Sequence, residues 1–210
     1  MLRVLVADDH AIVRQGLKSI LTEEFSSLVF GEARNSQELL SQITKDSWDI
    51  VILDITMPGR SGLDVLKEVK QSCPKIPVLV LSMHPEDQFA VRVLKAGAAG
   101  YLTKENVPEE IVKAVRKVLG GGKYVSPSLA EKLAFDLEMD TGRPPHESLS
   151  DREYQVMCMI ASGKTVKEIA EELVLSIKTI STYRARILEK LNMRTNAELT
   201  HYAVRNHLVD

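Results

Sequence analysis

Leu2-Arg3-Val4-Leu5-Val6-Ala7 runs straight into Asp8-Asp9, and Ile50-Val51-Ile52-Leu53 runs into Asp54. Each is an almost unbroken aliphatic stretch of strand length that ends on acid. Strands of this kind are covered on both faces, as in parallel sheets wrapped by helices. In a chain that alternates strand and helix, parallel strands all end at the same edge of the sheet, so the three acids share that edge. Three neighbouring carboxylates repel one another unless they hold a cation, and such a cluster suits cation binding or phosphoryl acceptance.

The pattern around these stretches supports that reading. Further candidate strands lie at 28–33, 78–82 and 99–102, with the third of the series at 49–54. Between them fall apolar stripes at helical spacing: Ile12, Val13, Leu17, Ile20 and Leu21; then Leu39, Leu40 and Ile43; then Val65, Leu66 and Val69. Phe89, Ala90, Val93 and Leu94 make a fourth, and Ile111, Val112, Val115, Val118 and Leu119 a fifth, closed by Gly120-Gly121-Gly122. Alternation of this kind predicts an α/β doubly wound, flavodoxin-like, five-stranded parallel sheet over residues 1–122, with right-handed crossovers. In strand order 2-1-3-4-5 the order reverses between the first and third strands, and ligands bind beyond the carboxyl ends there. Ser82 and Lys104 follow the fourth and fifth strands into the same crevice. Carboxylates with open positions suit the hard cation Mg2+.

Residues 123–147 change character. Pro127, Pro144 and Pro145 bracket Asp136, Glu138 and Asp140, with room for a short helix at 128–137, and Gly142-Arg143-Pro144-Pro145 reads as an exposed linker. Residues 148–210 are helical throughout, which predicts a small all-α, four-helix domain. Ser150 with Glu153, and Thr165 with Glu168, have capping-box spacing. A helix, a short helix, the turn Val174-Leu175-Ser176, a helix at 177–191 and a last one at 196–206 follow in helix-turn-helix order.

Bulk properties narrow the classes. The chain has 210 residues, 44% hydrophobic and 27% charged, with net charge −2, the composition of an ordinary globular protein. No apolar run is long enough to span a membrane, and the N-terminus lacks the basic and apolar regions of an export signal. Cys73 and Cys158 lie outside any metal-ligand spacing and read as reduced thiols of a cytoplasmic protein. The near-neutral average hides one basic helix, where Lys178, Arg184, Arg186, Lys190 and Arg194 face the single acid Glu189.

Asp8-Asp9, Asp54 followed by Met57-Pro58-Gly59, Ser82, and Gly100-Tyr101-Leu102-Thr103-Lys104 together resemble the receiver domain of two-component response regulators. Leu149-Ser150-Asp151-Arg152-Glu153, Ala161 to Ala170 and Ser176 to Tyr183 resemble the LuxR-type helix-turn-helix, so the whole chain is similar to the NarL/FixJ family. The resemblance implies that Asp54 accepts a phosphoryl group from a sensor histidine kinase. Asp9, Asp54 and the Thr56 carbonyl would ligate Mg2+, with Asp8 acting largely through water. Lys104 would pair with the acyl phosphate and Ser82 would hydrogen-bond it. Tyr101 would be the switch aromatic that turns inward when Ser82 moves.

For the second domain it implies double-stranded DNA as ligand, a homodimer on that DNA, and RNA polymerase as a further partner. Ile180, Tyr183, Ile187, Leu188 and Leu191 share one face of the basic helix and are expected to pack inward, leaving Lys178, Ser181, Thr182 and Ala185 outward. The first turns of a recognition helix meet base edges in the major groove. Ser181 and Thr182 can read bases, whereas Lys178, Thr179, Arg184 and Arg186 are expected on phosphates.

The contrary readings are weaker. An aspartate-nucleophile phosphohydrolase needs a second acid two residues after its nucleophile, and Thr56 stands there. A phosphorylation-independent regulator would not need the full Asp8, Asp9, Asp54, Ser82 and Lys104 set. The function expected is therefore a phosphorylation-switched DNA-binding transcriptional regulator and not a metabolic enzyme.

Overall fold

The structure is a computed structural model that describes residues 1–57, 60–83, 86–127, 129–131, 144–206 and 208–209. Pro58, Gly59, most of the 128–137 stretch, and Gly142 and Arg143 of the expected linker lie outside the described residues. The chain divides into two compact units, Met1–Glu131 and Lys132–Asp210.

The first unit alternates β1 (Leu2–Ala7), α1 (Ala11–Glu24), β2 (Leu28–Ala33), α2 (Ser36–Lys45), β3 (Ile50–Asp54), α3 (Gly62–Ser72), β4 (Val78–Ser82), α4 (Glu86–Lys95), β5 (Gly100–Thr103) and α5 (Val107–Leu119). The sheet is entirely parallel, in the order β2-β1-β3-β4-β5. β3 and β4 are buried at every position, as their aliphatic composition requires. On one face Val4, Val6, Ile50, Ile52, Leu79, Leu81 and Leu102 pack with Leu17 and Leu21 of α1 and with Ile111, Val115 and Val118 of α5.

One helical stripe differs from the expectation. Ile12 is 88% exposed, and the inward positions of α1 are Arg14, Leu17 and Leu21. At 100° per residue, 14, 17 and 21 fall on one side and 12 falls opposite. Apolar content alone misassigns the face, because the helix buries a guanidinium where an aliphatic was expected.

Close backbone approaches shape the ends of the sheet. A side chain at Gly62 would come within 2.3 Å of the Ile55 Cα, so α3 can start hard against the turn that follows Asp54. At the outer edge of β5, the Tyr124 N–H donates to the Ala99 carbonyl (2.8 Å) and its carbonyl accepts from Tyr101 (3.3 Å). Gly100 permits this seam, since a Cβ there would lie 2.8 Å from the Tyr124 carbonyl oxygen. Two residues on, Ser126 donates through its N–H (3.3 Å) and its hydroxyl to the Glu86 carboxylate at the start of α4.

The second unit is helical: a 3-10 turn at Pro145–Ser148, then α6 (Asp151–Ala161), α7 (Val166–Glu172), α8 (Ile177–Lys190) and α9 (Asn196–Arg205). Each helix starts on a side-chain cap: Ser150, Thr165, Ser176 and Thr195 all accept from main-chain N–H groups, the first two within complete capping boxes. Val156, Met157, Ile169, Ile180, Ile187, Leu199 and Ala203 form the buried centre. No described helix in either unit is long and apolar enough to cross a membrane.

Val174, just past α7 in the tight turn before Ser176, has a φ of 52°. A β-branched residue in that left-handed region is strained by about 1–2 kcal/mol, and glycine or asparagine is the usual occupant of this position. Asn192, with φ 53° after α8, follows that preference. Val174 is 66% exposed, so replacing it sacrifices little packing. Val174→Asn is expected to stabilise the second unit by about 1 kcal/mol, read as a higher urea midpoint; an unchanged or lower midpoint would show that the turn carries no such strain.

Candidate functional site

The acids of β1 and β3 meet because β1 and β3 are neighbours in the sheet, with Ala7 opposite Leu53. Asp8 and Asp54 are almost fully buried, at 1% and 0% exposure. Lys104, following the end of β5, places its ammonium 2.7 Å from Asp54 Oδ2 and 2.8 Å from Asp8 Oδ2. Burial would lower the pKa of this ammonium, but the facing carboxylates of Asp54 and Asp8 outweigh it and hold the value above the ordinary lysine range. Lys104 therefore stays charged and bridges both acids.

The other Asp54 oxygen, Oδ1, accepts from the Thr56 N–H at 2.7 Å and from the Thr56 hydroxyl. Thr56 thus holds the Asp54 side chain from below. Ser82 is fully buried at the end of β4, opposite Thr103 of β5. Tyr101 is 1% exposed; its ring is inside the fold in this structure, the position expected of it only after a switch.

Asp8, Asp9, His10 and Asp54 bring one ligand atom each within 4.8 Å of one another. His10 is the member that sequence reasoning missed. Its Nδ1 lies 3.0 Å from Asp9 Oδ1 and 3.2 Å from Asp8 Oδ1, and its main-chain N–H donates to Asp8 Oδ1 at 2.8 Å. Asp8 Oδ2 is buried and meets no donor in hydrogen-bond alignment, although the Lys104 ammonium is near. Three carboxylates gathered near that ammonium leave an excess of negative charge, and the all-oxygen donor set of the three aspartates is the one Mg2+ prefers. The residues present fit that ion.

The second candidate surface lies on α8. Ile180, Ile187, Leu188 and Leu191 face the core as expected, whereas Tyr183 is only half-buried. Tyr183 instead joins Ser176, Lys178, Thr179, Thr182 and Arg186 around a cleft of about 290 Å3. Lys178, Ser181, Thr182 and Arg186 are exposed. Two of the expected contacts are otherwise engaged. The Thr179 hydroxyl pairs with the capping Ser176 hydroxyl at 2.7 Å, and Arg184 Nε donates to Asn196 Oδ1 at 2.6 Å. Arg184 falls about 135° around the helix from the centre of that exposed face, on the side where it meets Asn196 at the start of α9.

Lys190 is not a free cation of the basic helix either. Its ammonium lies 2.6 Å from the buried Glu153 carboxylate, which also completes the Ser150 capping box. The start of α6 is thereby fastened to the end of α8. Burial would raise the Glu153 pKa, but the bonds from Lys190 and Ser150 outweigh it and hold the carboxyl below its ordinary value.

Comparison with known proteins finds relatives for both units. Residues 4–116 match the response regulator receiver domain and residues 147–203 match the bacterial regulatory proteins of the luxR family. The chain is 38% identical to the response regulator UvrY of Escherichia coli (strain K12) over 209 residues, covering 99% of this chain and 96% of that one. It is 40% identical to the response regulator GacA of Pseudomonas protegens over 210 residues, covering 100% of this chain and 99% of that one. Among solved structures it is similar to RcsB from Salmonella enterica serovar Typhimurium bound to promoter rprA in the presence of phosphomimetic BeF3-. That match has a TM-score of 0.64 and 29% identity, and covers 96% of this chain and 98% of that one.

A carboxyl whose folded pKa is depressed stabilises the fold above its unfolded value and loses that contribution as pH falls through the folded one. Glu153 is such a group, so the stability of the second unit is expected to fall from about pH 5 downward. Because Lys190 is 41% exposed, solvent screening limits the pair, and Lys190→Met is expected to cost about 0.5–1 kcal/mol at neutral pH. The variant should also show a shallower acid dependence in thermal melts; parallel curves for the two proteins would show that the pair does not govern it.

Proposed function

The chain belongs to the response regulators that join a receiver domain to a LuxR-type DNA-binding domain, and on that premise we propose that Asp54 is its phosphoacceptor. The observation that carries this reading is the state of the Asp54 carboxylate: fully buried at a strand end, with Oδ1 accepting twice from Thr56 and Oδ2 accepting from Lys104. Oδ2 is the freer oxygen and the better placed to attack. Its lone pair forms the new P–O bond to a phosphohistidine of a sensor histidine kinase as the P–N bond breaks and the imidazole leaves.

Asp8, Asp9 and Asp54, with the Thr56 carbonyl, are the residues that would hold Mg2+. When bound, that ion offsets the negative charge of the phosphoryl oxygens. Lys104 then exchanges a carboxylate for an equatorial phosphoryl oxygen, and Ser82 donates to another. Movement of Ser82 and Tyr101 biases the equilibrium between inactive and active forms. The protein turns over only its own acyl phosphate.

On the DNA-binding side, Lys178 and Arg186 neutralise phosphates while Ser181 and Thr182 reach base edges. Leu199 and Ala203 of α9 are buried, while Ala197 and Val204 are exposed on it and are its apolar positions for pairing two copies on double-stranded DNA. RNA polymerase is the partner that such a bound dimer would recruit, in the cytoplasm.

Sedimentation with and without beryllofluoride and Mg2+ tests the acceptor. Wild type is expected to shift to dimer or to gain DNA affinity, and Asp54→Asn to do neither. Equal behaviour of the two proteins would favour a regulator independent of phosphorylation. Lys178→Ala and Arg186→Ala are each expected to weaken duplex binding on every sequence and to reduce the salt slope by about one. Arg184→Ala should reduce it less, because its side chain is tied to Asn196. Equal slopes for the three variants would show that the Asn196 tie does not matter.

A further inference from the structure

We propose that Arg14 is a positioning residue for the cation site, clamping the Asp8 main chain so that Asp8 Oδ2 is presented to the metal, and that Glu32 keeps this clamp electrically silent. The inference rests on the assignment of Asp8, Asp9 and Asp54 to Mg2+.

Arg14 lies on the inward face of α1 and is 6% exposed. A buried guanidinium is costly unless each of its edges finds a partner. One edge finds the main chain of the acidic loop: Nη1 donates to the Asp8 carbonyl at 2.7 Å. The other finds the end of β2: Nε donates to Glu32 Oε2 at 2.9 Å. The guanidinium thus spans from the acidic loop to the neighbouring strand.

The remaining polar groups of Asp8 are also committed. Its N–H donates to the Ala33 carbonyl at 3.1 Å, and Oδ1 accepts from the His10 N–H. Only Oδ2 lacks an aligned donor. Asp8 is therefore fixed at its nitrogen, its carbonyl and one carboxylate oxygen, which leaves the fourth group facing Lys104 and the cluster. Arg14 is the side chain that holds the carbonyl, while the His10 ring adds a contact to Oδ1 at 3.2 Å.

Charge explains why Glu32 belongs to the device. A bare guanidinium behind Asp8 would oppose a divalent cation in front of it. The Glu32 carboxylate, paired at 2.9 Å, cancels that charge and leaves the positioning hydrogen bond. Outer-shell partners of this kind typically change metal affinity by about 10–100-fold when removed.

The full-length protein can be titrated with Mn2+, followed by the loss of its free-ion paramagnetic resonance signal, with Mg2+ as competitor and with urea midpoints measured in parallel. Arg14→Met is expected to weaken Mn2+ binding about tenfold, and by more than any change in urea midpoint explains. Arg14→Lys, which reaches only one of the two partners, should recover part of the loss. Glu32→Gln should weaken binding several-fold in wild type but less than twofold in Arg14→Met, where no charge is left to unmask.

Should Arg14→Met fail to fold, Glu32→Gln alone decides, because its carboxylate is on the rim of the sheet and 40% exposed. Asp9→Asn separates the two levels of the argument. If wild type and Asp9→Asn bind Mn2+ alike, the metal site itself falls and the clamp with it. If binding depends on Asp9 but is unchanged in Arg14→Met, or unchanged in Glu32→Gln where that variant decides, the clamp alone is overturned.

Discussion

Two carboxylates buried side by side at the end of a sheet, Asp8 and Asp54, share a single ammonium from Lys104. Each charge alone would be costly at that depth, and the acids would repel each other without a cation between them. The arrangement requires β1 and β3 to be adjacent and β5 to end within reach of both. Strand order 2-1-3-4-5 satisfies these conditions with parallel strands and helical crossovers. The aliphatic runs of β3 and β4 supply the dry walls that make the shared charge strong, and the turn after Asp54 is pressed into place by Gly62 at the start of α3. The site gathers Asp8, Asp9 and Asp54 near the Lys104 ammonium, an excess of negative charge that a cation would offset.

The DNA-binding unit meets a different constraint, because short helices are marginal by themselves. Here α6, α7, α8 and α9 each begin on a hydroxyl cap, and Glu153 carries two duties, closing the box on Ser150 and holding Lys190 at the far end of α8. α8 is thus fixed at both ends, by Ser176 at its start and by Glu153 near its finish. A rigid helix presents Lys178, Ser181, Thr182 and Arg186 in a constant relation to one another.

Much of this was legible in the sequence where one physical signal dominated. Continuous aliphatic runs ending on acid locate the sheet, its order and its crevice, and capping-box spacing locates the starts of α6 and α7. The misreadings share a cause. Patterns of apolar residues cannot tell which polar residue will be buried with a partner distant in sequence. Ile12 is therefore exposed while Arg14 goes inside to meet Glu32, 18 residues away. Lys190 and Arg184 count toward a basic face by composition, yet each is held by a partner, Glu153 and Asn196, that no local pattern reveals. His10 joins the acids by adjacency to Asp8 and Asp9, and that adjacency could have raised it as a candidate.

The seam between Tyr124 and β5 bears on how the protein can be taken apart. Residues 123–131 belong to the first compact unit, and Tyr124 occupies main-chain groups on the outer edge of the sheet. A fragment cut at the glycines after α5 would remove that partner and leave β5 as an open edge, available to a strand from another chain. Self-association of such a fragment would report the missing seam and not the habit of the intact protein. A cut placed after Glu131 would retain the seam and the Ser126 tie to Glu86.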